Sequence, residues 1–324
     1  MNVKWLVKRI ISSLFVLTAV LVLNFILFRM TGSDAVSTII DPSFSPEAKA
    51  NLRAIYGLDK PIWEQFVIYI KQMLTFSFGL SFLSRKPVWE EIISRLPVTL
   101  TLTVGSMVIS AVLGTLLGIN AAIKRGKTTE KIVLRASAIT SSFPGFFVQL
   151  ILIMLFARFL HLFPLRGTLS VPPPEGTLNI FVDYIHHMAL PIISISLMSF
   201  GSWALYVRNL MVKALSEDFT LMARARGLSN RAVMWHAFRT ILPPIITILL
   251  MSVPGLVSGA VITESVFSLH GLGTFLLEAL SGNDYPSAGA AFYLLALITV
   301  ICNFLADITY GLADPRVRIE GNVK

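Results

Sequence analysis

Six long apolar runs, separated by polar stretches, organise the chain. They fall near 9–29, 98–123, 132–160, 188–212, 241–263 and 288–312. Each is long enough to cross roughly 30 Å of hydrocarbon as a helix. Backbone in lipid finds no water to bond, so apolar runs of this length predict helices that satisfy themselves. The expected fold is all-α, a polytopic membrane protein with six transmembrane helices. The first run follows Lys4, Lys8 and Arg9 and reaches Phe28 without a small-residue cleavage site, which predicts a retained anchor rather than a signal peptide.

The stretches between the runs are not uniform. Residues 30–97 are too apolar and too patterned for disorder. Leu52 to Tyr56 reads as helix, Gly57-Leu58-Asp59-Lys60-Pro61 stops it, and Trp63 to Leu74 restarts one with an apolar face at Phe66, Ile70, Met73 and Leu74. A small external subdomain is expected there. Pro172-Pro173-Pro174 marks a stiff turn before the fourth run. The division is an N-terminal membrane helix at 1–29, an external segment at 30–97, a five-helix core at 98–312 and a tail at 313–324. No repeat of 20–50 residues is visible.

Composition supports the membrane class: 55% of residues are hydrophobic and 14% charged. The net charge of +9 then reports topology rather than nucleic-acid binding. Lys124, Arg125, Lys127, Lys131 and Arg135 fall on one side with Arg208, Lys213, Arg224, Arg226, Arg231 and Arg239, and with Arg316, Arg318 and Lys324. The short opposite loops hold only Arg158 and Arg166. Both termini are therefore expected inside, on the cytoplasmic face. A single cysteine, Cys302, excludes an intrachain disulfide, and the five histidines form no metal-binding spacing. The adjacent His186 and His187 point about 100° apart on a helix, which favours packing roles.

One polar island breaks the apolar pattern. Between Lys213 and Arg239 there are seven formal charges: those two residues with Glu217, Asp218, Arg224, Arg226 and Arg231. At roughly 2.5–3.5 kcal/mol for each one at mid-bilayer, this stretch cannot lie in lipid. Its apolar residues nevertheless keep helical spacing. Phe219, Met222, Ala223 and Arg226 predict a short helix closed by Gly227 in the left-handed C′ position. Ser229 or Asn230 then caps a second helix with an apolar stripe at Val233, Met234, Ala237 and Phe238. Pro243-Pro244 is expected in the first turn of the next span. An amphipathic pair lying on headgroups would share this periodicity.

Residue order separates the two readings. Asp218, Phe219, Ala223, Arg224, Ala225, Arg226, Gly227 and Leu228, followed by His236-Ala237-Phe238-Arg239 and Leu242-Pro243-Pro244, resemble the cytoplasmic coupling loop of ABC importer permeases. The subgroup resembled is the dipeptide/oligopeptide/nickel type, in its B-type subunit. No literal Glu-Ala-Ala occurs in the loop. Leu58-Asp59-x-Pro61, Phe78-Gly79-Leu80-Ser81, Leu96-Pro97-x-Thr99-Leu100 and Ser142-Phe143-Pro144-x-Phe146 extend the likeness toward the N-terminus. Glu264-x-Val266-Phe267, Gly271-Leu272-Gly273, Asp284-Tyr285-Pro286 and Asp307-x-x-Tyr310 with Asp314-Pro315-Arg316 extend it toward the C-terminus.

The resemblance implies a non-catalytic subunit of a bacterial or archaeal cell (inner) membrane importer. It further implies a heterodimer with a homologous C-type permease, two ABC ATPase subunits and an extracytoplasmic solute-binding protein. Asp218, Phe219 and 223–228 would couple to the ATPases through a loop at 213–240. No cofactor is expected on this chain; ATP and Mg belong to the ATPases, because no Gly-x-x-x-x-Gly-Lys-Ser/Thr loop is present. Peptides are the expected cargo, with nickel and oligosaccharides as alternatives.

Other candidates carry less. Asp307, with Asn303 and Tyr310 on its face, reads as an interhelical hydrogen bond near a membrane boundary rather than an ion pathway. That also argues against an ion-coupled secondary transporter, which needs carboxylates at the midplane. Pro144 predicts a kink whose freed carbonyls Ser141 and Ser142 are placed to satisfy; pathway lining and simple packing stand about even. Glu264 and Glu278 flank an external turn, where acids are ordinarily solvated, and Arg208 is expected to snorkel. Gly201-Ser202 lacks a matched histidine base for an intramembrane protease.

Overall fold

The computed structural model describes residues 3–30 and 60–313. Among these there are ten α-helices, two π-helical segments and no strand beyond one isolated bridge, Leu80 to Pro87. In chain order they are α1 (Val3–Phe25, continued by a π segment, Ile26–Met30), α2 (Ile62–Leu74) and α3 (Val88–Ile123). Then come α4 (Thr128–Ser142), α5 (Gly145–Leu152, continued by a π segment, Ile153–Phe159) and α6 (Thr177–Ser216). The last are α7 (Asp218–Ala225), α8 (Asn230–Val266), α9 (Leu272–Ser281) and α10 (Tyr285–Ala313).

Five helices, α1, α3, α6, α8 and α10, are each long and apolar enough to cross a membrane. The third run, 132–160, is not one helix. α4 and α5 meet at 100° and make a crossing only together. Pro144 has no N–H and pushes the residue before it out of the helical region, so Phe143 is extended at φ −96°, ψ 142°. The expected kink is therefore a full break. Neither serine does what was expected of it: Ser142 Oγ donates to Ala138 O at 2.7 Å, which is not the carbonyl that Pro144 frees, and Ser141 Oγ turns to Ser202 Oγ of α6 at 3.3 Å.

The second correction concerns Pro243 and Pro244. They lie inside the continuous helix α8 rather than in the first turn of a span. Each removes one intrahelical bond, freeing the carbonyls of Arg239 and Thr240. Both of those residues are exposed, so water can satisfy them while buried Ala237, Ile241 and Ile245 hold the helix together.

The described residues fall into two compact units. One is drawn from Met1–Ile10, Leu100–Leu269 and Ile301–Lys324, the other from Ile11–Thr99 and His270–Val300. In the first, α4 and α8 both pack on α6. Small residues let α3 and α4 approach α6 closely. A Cβ on Gly118 would come within 2.6 Å of the Ala204 carbonyl oxygen, and one on Gly201 within 2.8 Å of Ser137 Cα. Trp203, Val207, Met211, Ala237, Ile241 and Ile245 fill the core between α6 and α8.

In the second unit Val88, Ile92, Leu272, Phe275 and Tyr293 form the core with Met73 and Phe78. Most of the predicted face of α2 points inward: Ile70 and Met73 join this core and the Phe66 ring meets Phe25 at 5.1 Å. Leu74 is the exception, exposed at 57%. The stretch 264–287, between the fifth and sixth apolar runs, contains α9. Ten residues are too short to span a bilayer, but Leu272, Phe275 and Ala279 bury one face. Asp284 accepts from Ser81 Oγ at 2.5 Å, and Glu278 pairs with Arg95 at 2.8 Å. Leu52 to Asp59 and Asp314-Pro315-Arg316 lie outside the described residues.

Candidate functional site

The polar island is built from the end of α6 onward. Glu217 leaves the helix at φ −75°, ψ 152°, and α7 starts at once with Asp218 in its first turn, where a negative charge suits the helix dipole. Thr220 fixes the corner. It is fully buried, and its hydroxyl lies 2.7 Å from Glu217 O and 2.9 Å from Leu215 O. α7 packs on both α6 and α8.

The far end of α7 closes as its sequence predicts. Gly227 has φ +79°, and its N–H reaches Arg224 O at 2.9 Å while Leu228 N–H reaches Ala223 O at 3.1 Å. These two bonds make a complete Schellman closure. Ser229 then caps α8, accepting from Ala232 N–H at 3.3 Å, so Ser229 rather than Asn230 is the cap. The turn between the helices is thus hydrogen-bonded from both sides.

Exposure gives the element its chemistry. Asp218, Arg224, Ala225 and Arg226 are exposed, Ala223 half-buried. Phe219, Leu221, Met222 and Leu228 are also exposed, at 38%, 52%, 62% and 36%. Apolar side chains flanked by two arginines form a surface that fits a partner with an apolar groove and acidic rim. A groove of about 550 Å³ beside it carries Arg125 and Arg224, neither of which has an ion-pair partner among the described residues.

The other predicted residues lie elsewhere. Pro144 sits at the α4–α5 break. Asp307 on α10 pairs with Arg9 of α1 at 3.2 Å, so its contact is an interhelical ion pair rather than the hydrogen bond expected. Asn303 is exposed and takes no part in it; the Tyr310 side chain is outside the described residues. Arg208 does not snorkel. Its guanidinium meets Glu130 Oε1, with Nε at 2.9 Å, and Glu130 Oε2 accepts from Gly126 N–H at 2.6 Å. Glu264 is not a solvated loop acid but fully buried in the last turn of α8. His187 is buried, with Nδ1 donating to Asp183 O at 2.8 Å, which fits a packing role.

Sequence reasoning missed Glu130. Its only signal is its place, four residues after Gly126 in a basic turn. The same turn, Gly126-Lys127-Thr128, looks like the end of a phosphate loop. The structure argues against that use: it follows a helix rather than a strand, and Glu130 occupies the Gly126 N–H.

Known proteins match most of the chain. The family described as binding-protein-dependent transport system inner membrane component matches residues 114–319, and its N-terminal domain matches residues 2–103. A di/tripeptide transport system permease protein of Pseudomonas aeruginosa is 34% identical over 319 residues, covering 92% of this chain and 94% of the relative. A dipeptide transport system permease protein of Escherichia coli is 32% identical over 315 residues (91% and 93%). An oligopeptide transport system permease protein of Bacillus subtilis is 30% identical over 315 residues (97% and 98%). With both ends of the chain matched and the helical architecture in agreement, this protein belongs to the family of binding-protein-dependent transport system inner membrane components.

Proposed function

We propose that this inner-membrane permease forms the translocation pathway for di- and oligopeptides in an ATP-driven importer, with α7 facing the cytoplasm as the contact to an ATPase. The observation that carries this is the hydrogen-bonded α7–Gly227–α8 corner with its exposed Phe219, Leu221, Met222 and Arg224. The cargo is taken from the names of the relatives, which are peptide permeases. In this reading both termini lie inside, a homologous permease completes the pathway, two ATPases supply the free energy and a solute-binding protein delivers peptide. The chain itself catalyses nothing; ATP and Mg bind the ATPases.

The mechanism is mechanical. α6 has 40 residues and α8 has 37, so each is a rod of about 55–60 Å. Movement of α7 by closing ATPases is passed to both rods through the Thr220 and Ser229 corners. The rods then rock between inward- and outward-open arrangements.

Charge reversal tests the contact. Asp218→Arg combined with Arg224→Glu is expected to abolish co-purification of the ATPase with the permease, with the purified permease still helical by circular dichroism. Undiminished ATPase binding and peptide uptake would refute the assignment of α7.

A further inference from the structure

We propose that a cavity of about 520 Å³ between α3, α6 and α8 binds the backbone amides of the passing peptide, an inference that rests on the peptide-permease reading above. Its walls come from Met107 to Ala111, Met198 to Tyr206 and Ile248 to Leu256. Each lies within an apolar run, with Tyr206 two residues before Arg208. The volume falls within the range of about 300–1,000 Å³ typical of small-ligand sites.

Three features choose the occupant. First, the lining is neutral throughout, so it offers nothing to a carboxylate or ammonium terminus. Second, Ser199, Ser202 and Tyr206 line it from α6 at i, i+3 and i+7, a single helical face. Ser202 reaches Ser141, but the hydroxyls of Ser199 and Tyr206 make no hydrogen bond among the described residues. Most serines of these helices bond a carbonyl of their own helix, as Ser110 does to Ser106 O at 2.6 Å and Ser252 to Leu249 O at 2.7 Å. Two idle hydroxyls on an otherwise apolar wall suit a ligand with both donors and acceptors. A lipid tail or an apolar side chain of a neighbouring subunit would leave them unsatisfied. A peptide amide supplies both groups. Third, Met107, Met198 and Met251 are flexible and polarisable, which lets one site accommodate many cargo side chains. The site thus reads what all peptides share and tolerates what differs.

The test uses the assembled importer in proteoliposomes, with Cys302→Ser as background and alanyl-alanine as probe. Ser199→Cys is expected to react with a small water-soluble thiol reagent, and alanyl-alanine with ATP should slow that reaction. Once labelled, the complex should lose most uptake while still hydrolysing ATP. Because blocking follows assembly, misfolding cannot mimic the result. Ser199→Ala and Tyr206→Phe are each expected to raise the uptake KM about fivefold, the loss of one hydrogen bond. An N-methylated alanyl-alanine should show a smaller difference between these variants and the unmodified complex. A thiol at 199 that stays unreactive, as under a lipid tail or a neighbouring subunit, overturns the proposal. So does full labelling with uptake unchanged. An unmodified complex that imports no peptide fails the peptide-permease reading itself and this proposal with it.

Discussion

Gly227 shows how one residue sets the corner between α7 and α8. Its φ of +79° is a conformation in which a side chain is strained, although a Cβ there would meet nothing within 4 Å. The cost of substitution is therefore in the backbone, about 1–2 kcal/mol for an ordinary residue and more for a β-branched one. Gly227→Val is expected to leave the membrane helices folded while lowering peptide uptake at least tenfold, with ATP hydrolysis no longer stimulated by loaded binding protein. Normal uptake would show that the corner need not be rigid. This residue was legible beforehand because a glycine between two capped periodic segments has one main use. Glu130 was not. A single acid in a basic turn says nothing until the fold brings Arg208 of α6 against it. The same holds for Glu264, whose burial depends on how α8 ends.

Among elements, α3 and α6 carry the clearest demand for small side chains. Gly118 faces the Ala204 carbonyl at a distance that leaves no room for a Cβ. Gly118→Leu should separate the helices and lower the melting temperature of the purified permease, an overpacking penalty of about 1–3 kcal/mol. Gly259 on α8 has open space around it. Gly259→Ala should instead leave the melting temperature unchanged or raise it, since alanine favours helix by about 0.5–1 kcal/mol. Equal effects from the two would contradict the packing described. Element boundaries were read less well than element existence. Pro144 broke its helix outright whereas Pro243-Pro244 did not, although both are prolines in apolar surroundings. The difference is that α8 keeps a buried face across its prolines and exposes the carbonyls they free.

At the scale of the molecule, the proposed coupling role requires force to pass from α7 into α6 without slack. Only Glu217 separates the two helices. Inserting Gly-Gly between Ser216 and Glu217 is expected to preserve ATPase binding and abolish uptake. Loss of binding as well would mean that α7 needs α6 merely to be held in place. The amino-acid sequence alone determined the all-α membrane class, the positions of the apolar runs and the helix–glycine–helix corner, because hydropathy, periodicity and capping act over a few residues. Tertiary structure alone decided the pairings Arg208–Glu130 and Arg9–Asp307, the burial of Glu264 and the cavity that Ser199 and Tyr206 line. Those depend on which helices become neighbours, and no local pattern encodes that.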